Sequence, residues 1–329
     1  MNLNASDSVR ITAIIPTRGR IDSLCRALDS IRRQIFAGGV EIIVVDDMSD
    51  PPLPALPADV KVIRFEEHVG ACAARNAGAR VARGDFLLFM DDDAELITLD
   101  DLGRAVDWFA HWPKLGVIGF RQLTPDKQVH YMQPVAADEP VRTGLFFSYG
   151  CLVRRQAYEA LRGMNEEFGY YYEEVEFTLK LYAAGYDIIY DPTLMVIHHQ
   201  DKRHRDLVYI YRQLARNACL SYLIHYPALM LPPLFFKRLC LYGKLTGRRF
   251  PKPVDVWWLI VELFRLRGYV WRNRKPLRWS VIRGFHHACG RADRIDPELT
   301  ERSVRCRPCD QPVDAAASRH RHRLRTSVI

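Results

Sequence analysis

The sequence lacks an apolar run long enough to cross a membrane, which takes about 18 to 20 consecutive apolar residues. The nearest candidate is residues 223–236, and one histidine and three prolines interrupt it. The first residues also lack the charged and then apolar pattern of a secretory leader. We therefore expect a cytoplasmic protein without a membrane-spanning helix.

Two common phosphate-binding loops are missing as well. Neither a Gly-x-Gly-x-x-Gly turn nor a Gly-Lys-Ser/Thr loop occurs, which excludes the usual dinucleotide and P-loop sites. The eight cysteines are scattered through 329 residues, as is typical of free thiols in a reducing compartment. Cys306 and Cys309 have Cys-x-x-Cys spacing, but no second pair stands at zinc-finger distance.

Charge is distributed unevenly along a chain whose composition suits a packed core, with 48% hydrophobic and 26% charged residues. Residues 1–200 hold 20 Lys and Arg against 29 Asp and Glu, a net charge of −9. Residues 201–329 hold 27 against 10, a net charge of +17. The total of +8 thus combines an acidic half with a basic half that needs a separate explanation.

The acidic half alternates short apolar runs with helical patterns. Strands are predicted at residues 9–15, 40–45, 60–65 and 86–90, and helices at residues 24–35, with Asp22 or Ser23 as cap, and 71–81. Such alternation favours an α/β fold with a mostly parallel sheet between helices. Ligands bind such sheets beyond the carboxyl ends of the strands.

Polar residues follow three of the predicted strands, namely Pro16-Thr17-Arg18, Asp46-Asp47 and Asp91-Asp92-Asp93. A carboxylate cluster at this edge is suited to a hard divalent cation, which takes oxygen ligands and leaves positions open for a diphosphate. The alternative is that the acidic triplet forms a solvated turn or a helix cap.

Several ordered motifs carry a family resemblance over residues 9–200. They are Ile14-Ile15-Pro16-Thr17-Arg18, Val44-Val45-Asp46-Asp47, Val69-Gly70 with Arg75-Asn76-Ala77-Gly78, Asp91-Asp92-Asp93 as an Asp-x-Asp, Gly163-Met164-Asn165-Glu166, Glu173-Glu174, and His198. With them the chain resembles the inverting family 2 glycosyltransferases, which have the Rossmann-like GT-A fold and use nucleotide-sugar donors.

The resemblance implies a role for each matching position. Donor binding falls to Pro16, Thr17, Arg18, Asp46, Asp47, Gly70, Arg75, Asp91 and Asp92. Mn²⁺ or Mg²⁺ would be held by Asp91, Asp93 and His198. The general base is the second residue of an acidic pair, which points to Glu174 and leaves Glu173 as the alternative.

The implied activity is transfer of a sugar from a nucleoside-diphosphate sugar to a hydroxyl of a glycan or lipid-linked acceptor. This activity serves cell-surface polysaccharide or glycolipid biosynthesis. Two alternatives stay open. One is an inactive nucleotide-binding or scaffolding module in a glycan-assembly complex, and the other is a nucleotidyltransferase, which would need no base at Glu174.

The basic half predicts a different role. Residues 1–205 are expected to form the catalytic domain, residues 206–290 a helical extension rich in aromatics and arginine, and residues 291–329 a mobile basic tail. Apolar segments between Lys and Arg clusters suit an anionic leaflet, so we expect peripheral attachment to the cytoplasmic membrane face. The alternative is a subdomain that only packs on the catalytic half. Nucleic acid is not expected as a partner, because no recognised binding motif accompanies the charge.

Overall fold

The computed structural model describes residues 9–200, 206–289 and 291–295. The strands are Val9–Thr17 (β1), Gly39–Asp47 (β2), Val60–Phe65 (β3), Phe86–Met90 (β4), Ala94–Leu96 (β5), Leu115–Leu123 (β6), Val141–Thr143 (β7), Gly150–Arg154 (β8), Asp187–His198 (β9) and Asp293–Arg294 (β10). The α-helices are Ile21–Arg32 (α1), Gly70–Val81 (α2), Asp101–His111 (α3), Arg155–Ala160 (α4), Glu173–Ala183 (α5), Leu207–His225 (α6), Leu231–Leu245 (α7), Pro253–Arg265 (α8), Arg267–Asn273 (α9) and Trp279–Cys289 (α10).

The strands form one sheet in the order β10-β7-β9-β6-β8-β4-β1-β2-β3, and β5 pairs with β9 outside this path. Strands β3, β2, β1 and β4 are parallel neighbours, and β6 is parallel to β9. Strand β8 joins the two groups by antiparallel pairing with β4 and β6. Only β5, β7 and β8 run against the common direction within the described sheet, so the predicted mostly parallel sheet is confirmed.

Hydrophobic cores cover both faces of the sheet. Successive side chains of a strand point to opposite faces, and accordingly Ile14 of β1 packs in one core while Ile15 packs in the other. Helices α1 and α3 cover the face of Ile15, and helices α2 and α5 cover the face of Ile14. The central strands are therefore buried on both faces, as their continuous apolar runs predict.

Helix α1 departs from its prediction at both ends. It begins at Ile21 with Arg20 as N-cap, and no side chain makes the capping hydrogen bond. The prediction that Asp22 or Ser23 caps the helix is therefore wrong, because both lie within its first turn. The helix ends at Arg32, three residues before the predicted end.

The basic half is helical, as predicted, and part of it packs on the acidic half. Leu220 and Tyr222 of α6 and Phe285 of α10 share one core with Phe177 of α5. The division predicted at residue 205 therefore does not separate two hydrophobic cores. Most of the predicted mobile tail, residues 296–329, lies outside the described residues. Within the described part of the chain, every helix is too short or too polar to span a bilayer.

Candidate active site

Three potential metal ligands meet at the carboxyl edge of the sheet. Asp91 and Asp93 directly follow β4, and His198 ends β9. One ligand atom from each lies within 4.8 Å of the other two. His198 Nε2 lies 2.9 Å from Asp93 Oδ1 and 3.8 Å from Asp91 Oδ2. Two carboxylates and an imidazole in this arrangement fit a divalent cation such as Mn²⁺ or Mg²⁺.

Neighbouring side chains fix the orientation of His198. Its Nδ1 lies 2.8 Å from Nε2 of Gln122, in β6, and 3.2 Å from Nε2 of Gln200. The Tyr149 ring centroid lies 5.5 Å from that of the imidazole. With Nδ1 engaged in this way, the ring is oriented so that Nε2 faces the two carboxylates. A histidine that binds a metal through Nε2 donates from Nδ1, which requires the Gln122 amide to present its oxygen there. Nothing in the sequence around Gln122 indicates this role.

Asp92 is not one of the three clustered ligands. It is fully buried, and its Oδ2 accepts hydrogen bonds from Thr17 Oγ1 at 2.7 Å and Arg20 Nε at 3.0 Å. Burial raises the pKa of Asp92 to about 7, although the Arg20 charge opposes this rise. Arg20 also donates to Asp93 Oδ2 at 3.0 Å. Arg20 is not among the residues predicted from the sequence. The only sequence feature that indicates its role is its position shortly after β1, whose end faces the acidic triplet.

Arg75 provides a fixed cation beside the cluster. Its Nη2 donates to Asp91 Oδ1 at 2.7 Å, and the residue is buried. Burial opposes the guanidinium charge, but Asp91 and Glu173 outweigh burial and raise the pKa of Arg75. Nε and Nη1 have no hydrogen-bond partner among the described residues. Buried donors without a partner are costly, so this guanidinium is suited to an incoming anion such as a diphosphate.

Glu173 and Glu174 begin α5 and have different surroundings. Glu173 is buried, its Oε2 has no partner among the described residues, and burial followed by the Glu174 charge raises its pKa well above normal. Glu174 is partly exposed, and its Oε1 accepts a hydrogen bond of 3.2 Å from the Ser148 backbone N–H. Burial raises the pKa of Glu174 too, while Arg75 opposes the rise.

Asp46 and Asp47, which are predicted to bind the nucleotide-sugar donor, make hydrogen bonds with loops at the end of β2. Asp46 pairs with Arg64 and accepts from the Ser49 N–H at 2.9 Å. Asp47 accepts from the backbone N–H groups of Val69, at 2.7 Å, and Gly70, at 3.0 Å. Their side chains therefore connect β2 to its neighbours at the same edge of the sheet.

The backbone conformation at position 70 requires glycine. Gly70 has φ +83°, and a Cβ atom there would lie 3.3 Å from Gly169 Cα, in the loop before α5. The remaining predicted donor ligands, Pro16 and Arg18, follow the buried part of β1, where Pro16 is partly exposed and Arg18 is exposed.

Comparisons with known proteins agree with this fold. Residues 12–163 match the profile of the family described as Glycosyl transferase family 2. The O-antigen biosynthesis protein RfbC of Myxococcus xanthus is 24% identical over 226 residues, which cover 60% of this chain and 18% of that protein. Two curated relatives that match over 226 to 230 residues are far longer, and the chain spans 25% and 18% of their lengths.

Solved structures have the same fold. The structure of S. aureus TarS 1-349 in complex with UDP-GlcNAc has a TM-score of 0.54 and 17% identity, covering 73% of this chain and 75% of that one. The mannosyltransferase PcManGT from Pyrobaculum calidifontis, in complex with GDP-Man and Mn²⁺, has a TM-score of 0.52 and 16% identity, covering 87% of each chain. Residues 12–163 therefore match glycosyl transferase family 2, and the sheet architecture is the GT-A fold.

Proposed function

We propose that the chain is a metal-dependent inverting glycosyltransferase. It transfers a sugar from a nucleoside-diphosphate sugar to a hydroxyl of a glycan or lipid-linked acceptor, in the synthesis of a cell-surface polysaccharide or glycolipid. The observation that carries the proposal is that three kinds of functional group lie at one edge of the sheet. These are a possible metal cluster at Asp91, Asp93 and His198, the buried cation Arg75, and the acidic pair Glu173-Glu174.

Asp91, Asp93 and His198 would hold Mn²⁺ or Mg²⁺, which neutralises charge on a departing diphosphate. Arg75 adds a cation whose position does not depend on the metal, because burial and its bond to Asp91 fix it. Its two donors without partners suit phosphate oxygens. Together these groups stabilise the leaving group, so no protein acid is needed to protonate it.

Glu174 is the general base. It is partly exposed and therefore accessible to an acceptor, and the Ser148 N–H holds one oxygen of its carboxylate. It takes the proton from the acceptor hydroxyl as that oxygen attacks the anomeric carbon from the face opposite the nucleotide. A pKa raised above the usual glutamate value makes this carboxylate a stronger base.

Peripheral attachment to the cytoplasmic membrane face is part of the proposal. Support comes from helix α8, where Trp257 and Phe264 are 67% and 64% exposed at helical spacing, and from Trp271 in α9, which is 86% exposed. Arg265, Arg267 and Arg272 lie exposed between and beside them. Large exposed apolar side chains with cations around them match the chemistry of an anionic leaflet.

The activity is tested with a panel of nucleoside diphosphates and their sugars, measured by thermal shift with and without Mn²⁺. At least one nucleotide should raise the melting temperature only when Mn²⁺ is present, because the diphosphate and the carboxylates share the ion. Asp93→Asn should remove this dependence on Mn²⁺, since Asp93 is a predicted ligand. Asp138→Asn, which changes a 98% exposed carboxylate, is the matched control.

The nucleotide sugar that raises the melting temperature with Mn²⁺ is then incubated with the protein, and release of its nucleoside diphosphate is measured. If no nucleotide binds in a metal-dependent way, the proposal is wrong.

A further inference from the structure

The turn immediately before the proposed base has an unusual backbone. Tyr171 and Tyr172 have φ angles of 70° and 72°, and Tyr172 is the N-cap residue of α5. Bulky residues rarely adopt this left-handed region, and two in succession are rarer still. Such a backbone persists only where the surrounding structure holds it, and it occurs most often at functional sites.

Asn217 of α6 binds the backbone carbonyls of this turn. It is fully buried, and its Nδ2 lies 2.8 Å from Phe168 O, 2.9 Å from Tyr170 O and 2.7 Å from Tyr171 O. An amide has two N–H groups, so the three carbonyl oxygens share them. A single side chain from the basic half thus fixes the path of the backbone up to the residue before Tyr172.

Arg238 of α7 holds the side chain of Tyr172. The guanidinium carbon lies 5.2 Å from the centroid of the Tyr172 ring, and one N–H of Arg238 donates to Tyr222 Oη at 3.0 Å. Arg238 and Tyr172 are both buried, which strengthens a cation–π contact because water does not compete for the cation.

We propose that Asn217 and Arg238 are positioning residues for Glu174, an inference that rests on the function proposed above. Glu174 lies two residues after Tyr172, so a change in this turn rotates or shifts the start of α5. Small displacements of a catalytic group reduce the rate strongly, because the base must reach the acceptor proton in an aligned geometry. Helices α6 and α7 of the basic half are thereby part of the catalytic apparatus.

The test compares Asn217→Asp and Arg238→Met with matched controls in the full chain. Asn273→Asp changes an exposed asparagine that donates to a helix carbonyl at 2.9 Å, and Arg249→Met removes an exposed cation 6.0 Å from the Phe250 ring. Release of the nucleoside diphosphate should fall at least tenfold in kcat for the first two variants, while the donor KM changes less than twofold. Both controls should match the wild type, and Arg238→Lys should recover part of the kcat.

Hydrogen exchange supplies a measurement that does not depend on activity. Amides of residues 169–176 should exchange faster in Asn217→Asp and Arg238→Met than in the wild type and the controls. Where Asn217→Asp does not fold, Asn217→Ser takes its place, and where Arg238→Met does not fold, Arg238→Gln takes its place.

Unchanged kcat in the variants overturns the proposal, and so does a loss that appears only in KM. A wild type that turns over no donor contradicts the proposed function. In that case exchange still decides whether the two residues hold the turn, and unchanged exchange overturns this role.

Discussion

Two adjacent glutamates with the same chemistry have different environments in this protein. Glu173 is buried beside Arg75, and the combined effect of burial and the Glu174 charge favours its neutral form. Glu174 is partly exposed and receives a backbone hydrogen bond, which favours the charged form. Burial raises the pKa of both carboxyl groups, and the Glu174 charge raises that of Glu173 further. The sequence leaves the base open between them, and their surroundings favour Glu174.

We expect Glu174→Gln to lower kcat by about 10²- to 10⁴-fold, the usual contribution of a general base. Glu173→Gln should lower it less than about tenfold, because a carboxyl group held in its neutral form cannot accept the proton of the acceptor hydroxyl. The wild-type rate should fall as the pH drops through a pKa above the ordinary glutamate range, since burial raises the pKa of Glu174. Initial rates of nucleoside diphosphate release from pH 4 to 9 would measure both effects.

Thermal shift with donor and Mn²⁺ serves as the control, and both variants should bind as the wild type does. If Glu173→Gln is the slower enzyme, the two roles must be exchanged.

At the scale of whole elements, a buried hydrogen bond between Glu176 and His225 joins helices α5 and α6. Oε1 of Glu176 in α5 lies 2.8 Å from Nε2 of His225 in α6. Oε2 of Glu176 lies 3.4 Å from Nζ of Lys180. Burial raises the pKa of Glu176, but Lys180 and His225 outweigh it, so the pKa is lowered overall. The carboxylate is thus more stable in the folded than in the unfolded chain.

A lowered carboxyl pKa makes stability depend on pH in a defined direction. The stabilisation by Glu176 is fully present above the unfolded pKa of about 4.3 and is lost as the pH falls through the lower folded pKa. Glu176→Gln should cost about 1 to 3 kcal/mol at pH 7, the usual effect of removing a hydrogen-bond partner from buried polar groups, and less at pH 3. Urea denaturation at both pH values would measure this difference.

Glu159→Gln is the matched control, because Glu159 forms an exposed i,i+4 pair with Arg155. It should cost less than about 1 kcal/mol at either pH. An equal cost for the two variants at pH 7 would contradict a stabilising role for the buried pair.

The fold and the carboxylates at the end of β4 could be predicted because they follow from local patterns, whereas His198 follows only from the family resemblance. Apolar runs identify β1, β2 and β4, and parallel strands bring Asp47 and Asp93 to one edge of the sheet. The contacts of Asn217 and His225 could not be predicted. Each joins residues 46 to 49 positions apart, and each belongs to a polar type that is common on amphipathic helices. Such contacts depend on how α6 packs against α5, which no spacing in the sequence specifies.

At the scale of the whole molecule, the two charged halves meet at one site. The basic half supplies the buried residues Asn217 and Arg238 to the turn before Glu174, so these two side chains are not free to face lipid. The two most exposed tryptophans, Trp257 and Trp271, lie farther along, on α8 and α9. Helices α8 and α9 also pack on the core through Leu263 and Tyr269, so packing and the proposed membrane binding are compatible within the same helices.

Membrane attachment makes a measurable prediction for these helices. Replacing Arg267 and Arg272 together by Gln should weaken binding to phosphatidylglycerol vesicles by about 2 kcal/mol, or roughly 30-fold, because each cation near an anionic surface contributes about 1 kcal/mol. Co-sedimentation over a range of lipid concentrations measures the partition coefficient. Arg26→Gln with Arg80→Gln is the control, since it removes the same charge from exposed positions of the acidic half. Binding that is equal in both double variants, or equal on pure phosphatidylcholine vesicles, would show that this surface does not bind an anionic leaflet.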